Sequence, residues 1–464
     1  MEFTPQQISD IVSNVMLQMQ NIAQPSALPY LNVNDERAKI GTGGNDPFDK
    51  EYPSQYMKGQ IDLSPYQRTN KILRRIHALP DTIDSQRALM ITEAFKKYEN
   101  DAPIIKAANV LAYLLHNLPV DVYEDELIVG DMGCPPRCAP LYPEFSLEWI
   151  CDEMINFPIE KREQDRFVVT DQTKRDIMGI RDYWKGRTVE DNITKILSDE
   201  EKKGSVLPGA RPVFHPNLHL SGGIGHFIAD YETLFKIGFT GIRRKIEAKM
   251  EELVLTDPKD IEKREFYNAV LISLDAVKDF FYRYGAIARQ KAGTENNPAR
   301  RQELLKMAEN VEWVAENPPR TFWEAMQLYH LATNVIVIDS NGHSIGYGRF
   351  DQMLYPFYAR DMKSGLVTKQ FVAEIIESWC IKTYELLKFR DRFTGLFQSE
   401  AGIAGTTVVI GGLTREGKDA TNDLSYLMLE AHAHTYTPDP WLSVRWHDNT
   451  PWEFKVKTVN VIRI

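Results

Sequence analysis

Arg211 to Ile242 reads RPVFHPNLHLSGGIGHFIADYETLFKIGFTGI. Its centre, Ser221-Gly222-Gly223-Ile224-Gly225-His226, sets three glycines within four positions just ahead of one histidine. Glycine permits positive φ and close backbone approach, so such a run delivers a side chain into a tight space. Tyr231, Leu234, Phe235, Ile237 and Gly238 then begin a helical apolar pattern that continues through Ile242, Ile246 and Met250. The stretch predicts a glycine-rich loop presenting His226 beside the start of a helix. Spacing alone fits equally well a loop that merely turns the chain around a structural histidine. Gly222, Gly223 and Gly225 do not fit GxGxxG and no GK[ST] follows, so a phosphate cradle is excluded.

The surrounding chain bounds the function. Its 464 residues, 43% hydrophobic and 26% charged, have the composition of an ordinary globular protein with a large core. A formal charge of −10 argues against nucleic acid as the main partner. No apolar run approaches the ~20 residues that cross a bilayer. Met1-Glu2-Phe3-Thr4-Pro5 lacks the basic and apolar regions of a secretory signal. Four cysteines do not make a disulfide scaffold in so long a chain, and Cys134 and Cys138 have no second pair to complete a zinc site. A cytoplasmic protein is expected.

Three segments organise the chain. Residues 1–20 hold a helix with Ile8, Ile11, Val12, Val15, Met16 and Met19 on one stripe. Residues 21–63, rich in Pro, Gly, Asn and Asp, read as a linker. The body, 64–464, begins with helical patterns from Ser64 to Leu118, in which Ile72, Leu73, Ile76 and Leu79 make one face. Glu126-Leu127-Ile128-Val129-Gly130 reads as a short buried strand. Leu141 to Phe145 leads into a helix through Trp149. Residues 160–205 are charged and helix-compatible, and 231–335 is a long helical stretch broken at Asn317-Pro318-Pro319.

Two further glycine-studded stretches follow. Val335-Ile336-Val337-Ile338 is β-branched, reads as a strand, and ends in Asp339-Ser340-Asn341-Gly342-His343-Ser344-Ile345-Gly346. Ligand groups of α/β proteins often sit just beyond strand carboxyl ends, which would suit Ser344; a loop or capping serine reads as well. Gly402 to Leu413, GIAGTTVVIGGL, is a second apolar run bounded by glycines. Strands alternating with long helices predict an α/β barrel or sheet with many helices outside. His432, His434 and His447 lack a carboxylate in a recognised ligand pattern, so no metal site is expected.

These strings together resemble the glycyl radical enzymes, the family related to pyruvate formate-lyase. They are ELIVG (126–130), LYPEFSLEW (141–149), the GGIGH loop with DYETLFKIGFTGI, SNGHSIGYGRFDQMLYPFY, and IGGLTREGKDATNDLSYL (410–427). The resemblance implies the N-terminal part of a pyruvate formate-lyase-like ten-stranded α/β barrel with many surrounding helices. It also implies a glycyl radical passed to a cysteine inside the barrel, whose thiyl takes hydrogen from the substrate. That radical would be installed by a separate S-adenosylmethionine/iron–sulfur activating enzyme, with no cofactor bound by this chain. Cys134, Cys138, Cys151 and Cys380 match neither radical motif. The thiyl cysteine, its glutamate and the radical glycine are expected beyond Ile464. Were 464 residues the full product, a non-catalytic scaffold would be the reading.

For the substrate, the resemblance is to glycerol and propane-1,2-diol dehydratases, which carry a histidine matching His226 and a serine matching Ser344. Imidazole can donate or accept a hydrogen bond to an alcohol. Leu218 stands where those enzymes have an asparagine that helps hold hydroxyls, which implies one polar group fewer or one placed differently. Diol dehydration is therefore expected first. Carbon–nitrogen or carbon–sulfur lysis (choline or sulfonate lyase) and arylacetate decarboxylation are the alternatives. The resemblance also implies a homodimer. It makes the N-terminal helix an expected address to microcompartment shell proteins, against the alternative that it packs on its own enzyme.

Overall fold

The computed structural model describes residues 62–463 except 163–164, 206–222, 224, 343 and 393–404. The N-terminal helix and nearly all of the linker expected from the sequence lie outside the described residues, as do Leu218, Ser221 and Gly222. Among the described residues no helix is long and apolar enough to cross a membrane.

The body opens with α1 (Gln67–Ala78), whose Ile72, Leu73 and Ile76 pack on Ile381 and Tyr384. Leu79, just past its end, is exposed instead. β1 (Thr82–Asp84), α2 (Gln86–Lys97) and α3 (Pro103–Asn117) follow, the last with its proline in the first turn, where no N–H is needed. β2 (Cys138–Pro140) pairs in parallel with β1, and Thr82 also bridges Val168. α4 (Glu148–Asn156) is the helix expected through Trp149, and α5 (Asp171–Trp184), α6 (Val189–Ile196) and α7 (Asp199–Ser205) occupy the charged stretch. Thr170 caps α5, and Thr188 with Asp191 forms a reciprocal capping box on α6.

α8 (Tyr231–Glu251) begins where the glycine-rich loop ends. Gly238 breaks its helical geometry with φ 64, because a Cβ there would lie 2.5 Å from the Asn317 carbonyl carbon. α9 (Pro258–Thr294) and α10 (Pro298–Val314) lead to α11 (Phe322–Ser340), in which every residue but Ile336 and Asp339 is buried. β3 (Gly346–Arg349), α12 (Phe350–Lys363), α13 (Lys369–Tyr384), β4 (Thr407–Gly411), α14 (Asp423–Thr435), β5 (Trp441–Arg445) and α15 (Trp452–Arg463) complete the chain. The three strands form one parallel sheet in the order β3-β4-β5, and Ile228 bridges Gly346 in parallel on the far side of β3. Helical crossovers between parallel neighbours make this the expected α/β architecture.

Two sequence expectations are corrected. Glu126–Gly130 is buried but is not a strand. Its backbone pairs with a side chain: Val129 N–H donates to Gln327 Oε1 at 2.9 Å, and Gln327 Nε2 donates to Val129 O at 2.7 Å. The carboxamide supplies the donor and acceptor that a neighbouring strand would. Val335–Ile338 is the last turn of α11 rather than a strand. A helix buried on all sides tolerates β-branched residues because tertiary packing outweighs their modest helix propensity. The strand begins later, at Gly346, so Ser344 precedes a strand instead of following one.

Replacing Gln327 with Leu should leave a buried N–H and C=O of Val129 unpaired and lower stability by about 2–4 kcal/mol. Urea unfolding measures this, and a loss below about 1 kcal/mol would mean that the backbone of 126–130 finds other partners.

Candidate active site

The glycine-rich loop and the loop before β3 meet through their backbones. Gly346 N–H donates to Phe227 O at 2.8 Å, and Ile228 is the parallel partner of Gly346. This single isolated bridge brings together the two segments that carry His226 and Ser344, each two residues before its bridging residue. Both have left-handed backbones, φ 61 at His226 and φ 55 at Ser344. Non-glycine residues rarely adopt that region, and holding one there costs on the order of 1–3 kcal/mol. The left-handed backbone at each position fixes where its side chain starts.

Glycine makes the approach possible. A Cβ at Gly223, whose φ is +81, would lie 2.1 Å from Ser340 O and 2.8 Å from Asn341 Cβ. The loop therefore rests directly on the carboxyl end of α11. Asn341, left-handed at φ 52, ends that helix with its N–H on Val337 O at 3.0 Å. On the other side of Ser344, a Cβ at Gly405 would lie 3.3 Å from the Ser344 hydroxyl oxygen. His226 is exposed and Ser344 half-buried, so neither is sealed into the core.

Three tyrosines anchor this corner. Tyr231, which starts α8, bonds Thr333 on α11 through its hydroxyl at 2.7 Å. Tyr329, one turn earlier on α11, donates to Tyr347 O in β3. The Tyr231 and Tyr329 rings lie 4.6 Å apart, and those of Tyr329 and Tyr347 lie 4.9 Å apart. Burial pushes the Tyr231 hydroxyl up to about 12, so it serves as a neutral hydrogen-bonding group.

Charge collects just behind Ser344. Lys388 Nζ donates to Asn341 O, and burial with the nearby Arg390 pushes that ammonium well below its ordinary value. Arg390 is itself lowered by burial. Asp439, fully buried before β5, accepts the Gly405 N–H at 3.1 Å through Oδ2. Burial raises its carboxyl to about 8. Sequence reasoning passed over Lys388, Arg390 and Asp439, because nothing in their spacing ties them to residues 226 or 344. Leu218 lies outside the described residues.

The other candidates are taken up elsewhere. His434 Nδ1 lies 2.7 Å from Glu377 Oε1, while Ser64 donates to the second Glu377 oxygen. His447 Nε2 lies 3.0 Å from Gly412 O. All four cysteines are free and buried, with Cys134 Sγ 3.1 Å from Cys138 O.

A family model described as pyruvate formate lyase-like matches residues 60–464. A (2S)-3-sulfopropanediol dehydratase of Klebsiella oxytoca is 41% identical over 421 residues, covering 90% of this chain and 51% of the relative. A solved structure concerned with 1,2-propanediol dehydration in Roseburia inulinivorans superposes with a TM-score of 0.82 at 33% identity, covering 86% of this chain and 47% of that one. The glycerol-bound B12-independent glycerol dehydratase of Clostridium butyricum gives a TM-score of 0.81 at 32% identity, covering 85% and 49%. The chain thus spans about half the length of the relatives it matches.

Substituting Gly223 with Ala should push the loop off Ser340 and expose the Gly346–Phe227 hydrogen bond. Faster hydrogen exchange at the Gly346 amide is the expected result, with the global unfolding midpoint little changed. Unaltered exchange would show that the loop does not depend on this close approach.

Proposed function

Because the chain belongs to the pyruvate formate lyase-like family of glycyl radical enzymes, we propose that it carries the substrate-orienting residues of a dehydratase acting on a small vicinal diol. The observation that supports this most is the parallel bridge between Ile228 and Gly346, which brings the segments carrying His226 and Ser344 together. Two polar side chains on neighbouring segments suit the two hydroxyls of a small diol. Serine and imidazole can each donate or accept a hydrogen bond to an alcohol. A hydroxyl that leaves as water needs a proton delivered to it, and an imidazole N–H is a group that can deliver one.

In this reading the radical glycine and the thiyl cysteine would supply the hydrogen abstraction, a part that none of Cys134, Cys138, Cys151 and Cys380 is given. The part left to this chain is orientation, holding the target C–H bond and the departing hydroxyl in a reactive arrangement. The dehydratase that shares 41% identity is named for a sulfonated propanediol, which makes a diol with an anionic substituent the first substrate to test. Leu218 fits such a choice, since an apolar side chain there offers no hydrogen bond to a further hydroxyl.

The same reading includes a separate radical-installing activating enzyme, a homodimer and a cytoplasmic setting. It also takes residues 1–20 as an address to microcompartment shell proteins, a confinement suited to the aldehyde that diol dehydration releases. Fusing that segment to a fluorescent protein in shell-producing cells should give puncta, and a diffuse signal would return the helix to its own enzyme.

In the radical-loaded enzyme, His226→Ala and Ser344→Ala should each lower kcat/KM on a diol about ten- to a hundredfold, the cost of one hydrogen bond to a bound polar group. Propane-1,2-diol, glycerol and 3-sulfopropanediol are the substrates to compare. Unchanged turnover by both variants on every diol would move the assignment to amine, sulfonate or aryl substrates.

A further inference from the structure

The amino ends of the parallel strands form a short chain of contacts that runs from Ser344 through Gly405 to Asp439. Ser344 precedes β3, Gly405 precedes β4, and Asp439 precedes β5. Gly405 has φ +71, and its missing Cβ leaves the Ser344 oxygen as the nearest atom to that position, at 3.3 Å. Its N–H goes to Asp439 Oδ2 at 3.1 Å. Thr407 N–H bonds Ile345 O at 3.2 Å, and Trp441 N–H bonds Thr406 O at 2.7 Å. Where those two amides bond a neighbouring backbone, the Gly405 amide is linked to a side chain.

A carboxylic acid is a costly way to accept a single N–H in the core. Asp439 is 0% exposed, and its Oδ1 makes no hydrogen bond of normal geometry among the described residues, although the Thr406 hydroxyl and amide stand near enough to favour its charged form. Buried polar atoms left incompletely paired are uncommon, and they gather where function constrains the residue. A backbone link or a small hydroxyl would hold Gly405 with less desolvation.

We propose that Asp439 is a positioning residue for Ser344, acting through the Gly405 amide to hold the start of β4 against the serine hydroxyl. This rests on the reading of Ser344 as a substrate ligand. Without the carboxyl oxygen, the Gly405 amide loses this partner and the wall behind Ser344 relaxes. The serine oxygen then loses the fixed distance to a hydroxyl bound between it and His226.

The test uses the radical-loaded enzyme and a diol substrate. Asp439→Asn keeps a side-chain oxygen for the Gly405 N–H and should stay within about threefold of wild type in kcat/KM. Asp439→Ala should lower kcat/KM about tenfold or more, the equivalent of one lost hydrogen bond. Combined with Ser344→Ala, it should add little further loss, since both changes remove one interaction. Equal effects of the Asn and Ala variants, or fully additive losses in the double variant, would overturn the proposal. If Asp439→Ala does not fold, hydrogen exchange at the Gly405 amide decides: protection in Asp439→Asn equal to wild type supports the link, and free exchange overturns it. If Ser344→Ala itself turns over diols normally, the functional reading fails first. Crystal structures of wild type and Asp439→Asn then judge the positioning claim alone. An unmoved Gly405 whose amide bonds the introduced carboxamide oxygen supports it, and an amide bonded elsewhere overturns it.

Discussion

The rest of the structure depends on the near-complete burial of α11, where all but Ile336 and Asp339 are buried. A helix enclosed on all sides has its own backbone satisfied, so each polar side chain it carries must find a partner in a neighbouring element. Gln327 stands in for a strand beside Val129, and His330 Nε2 lies 3.2 Å from Gly130 O. Thr333 takes the Tyr231 hydroxyl, and Tyr329 reaches β3. At the carboxyl end the roles reverse, with Tyr142 donating to Val337 O at 2.8 Å and Arg87 to Ile338 O at 2.9 Å. One helix thereby fixes the segment after α3, the start of α8 and the first strand of the sheet. The loops that carry His226 and Ser344 are tied at both ends to the same rigid part.

Two buried charges reinforce this arrangement. Lys382 on α13 lies 3.1 Å from Glu126 Oε1 and 2.7 Å from Glu385 Oε2, with all three side chains buried. Removing the ammonium would leave two carboxylates in the core without compensation, which is far more costly than losing a surface pair. Lys388, a short way along the same chain, holds the Asn341 carbonyl just ahead of Ser344. Two buried lysines thus hold neighbouring segments, Lys382 through Glu126 and Glu385 and Lys388 through the Asn341 carbonyl. The backbone strain at His226 and Ser344 persists because its surroundings over-determine it.

The sequence made much of this legible, for identifiable reasons. The helical stripe beginning at Tyr231 stands where its periodicity puts it, because amphipathic spacing reports a buried face, and the apolar run bounded by glycines within Gly402–Leu413 holds β4. Val335–Ile338 misled because burial on every side removes the periodic signal, leaving only β-branched composition. Glu126–Gly130 misled in the opposite way: it has a strand's burial without a strand's partner, and a glutamine far along the chain makes the difference. His226 and Ser344 stood out through their glycine neighbours and through family resemblance. The bridge that brings their segments together, Ile228 with Gly346, joins residues far apart in sequence, which no local pattern encodes. Asp439 was silent for the same reason, since its meaning comes from Gly405 in another strand segment.

The central claim is that His226 and Ser344, on segments joined by the Ile228–Gly346 bridge, act as one diol-binding pair. A crystal structure of the enzyme with bound propane-1,2-diol or 3-sulfopropanediol tests it most directly. The account predicts one hydroxyl within hydrogen-bonding distance of the His226 ring and its neighbour within reach of Ser344 Oγ. A diol held elsewhere, or side chains of His226 and Ser344 turned to separate faces, would contradict it.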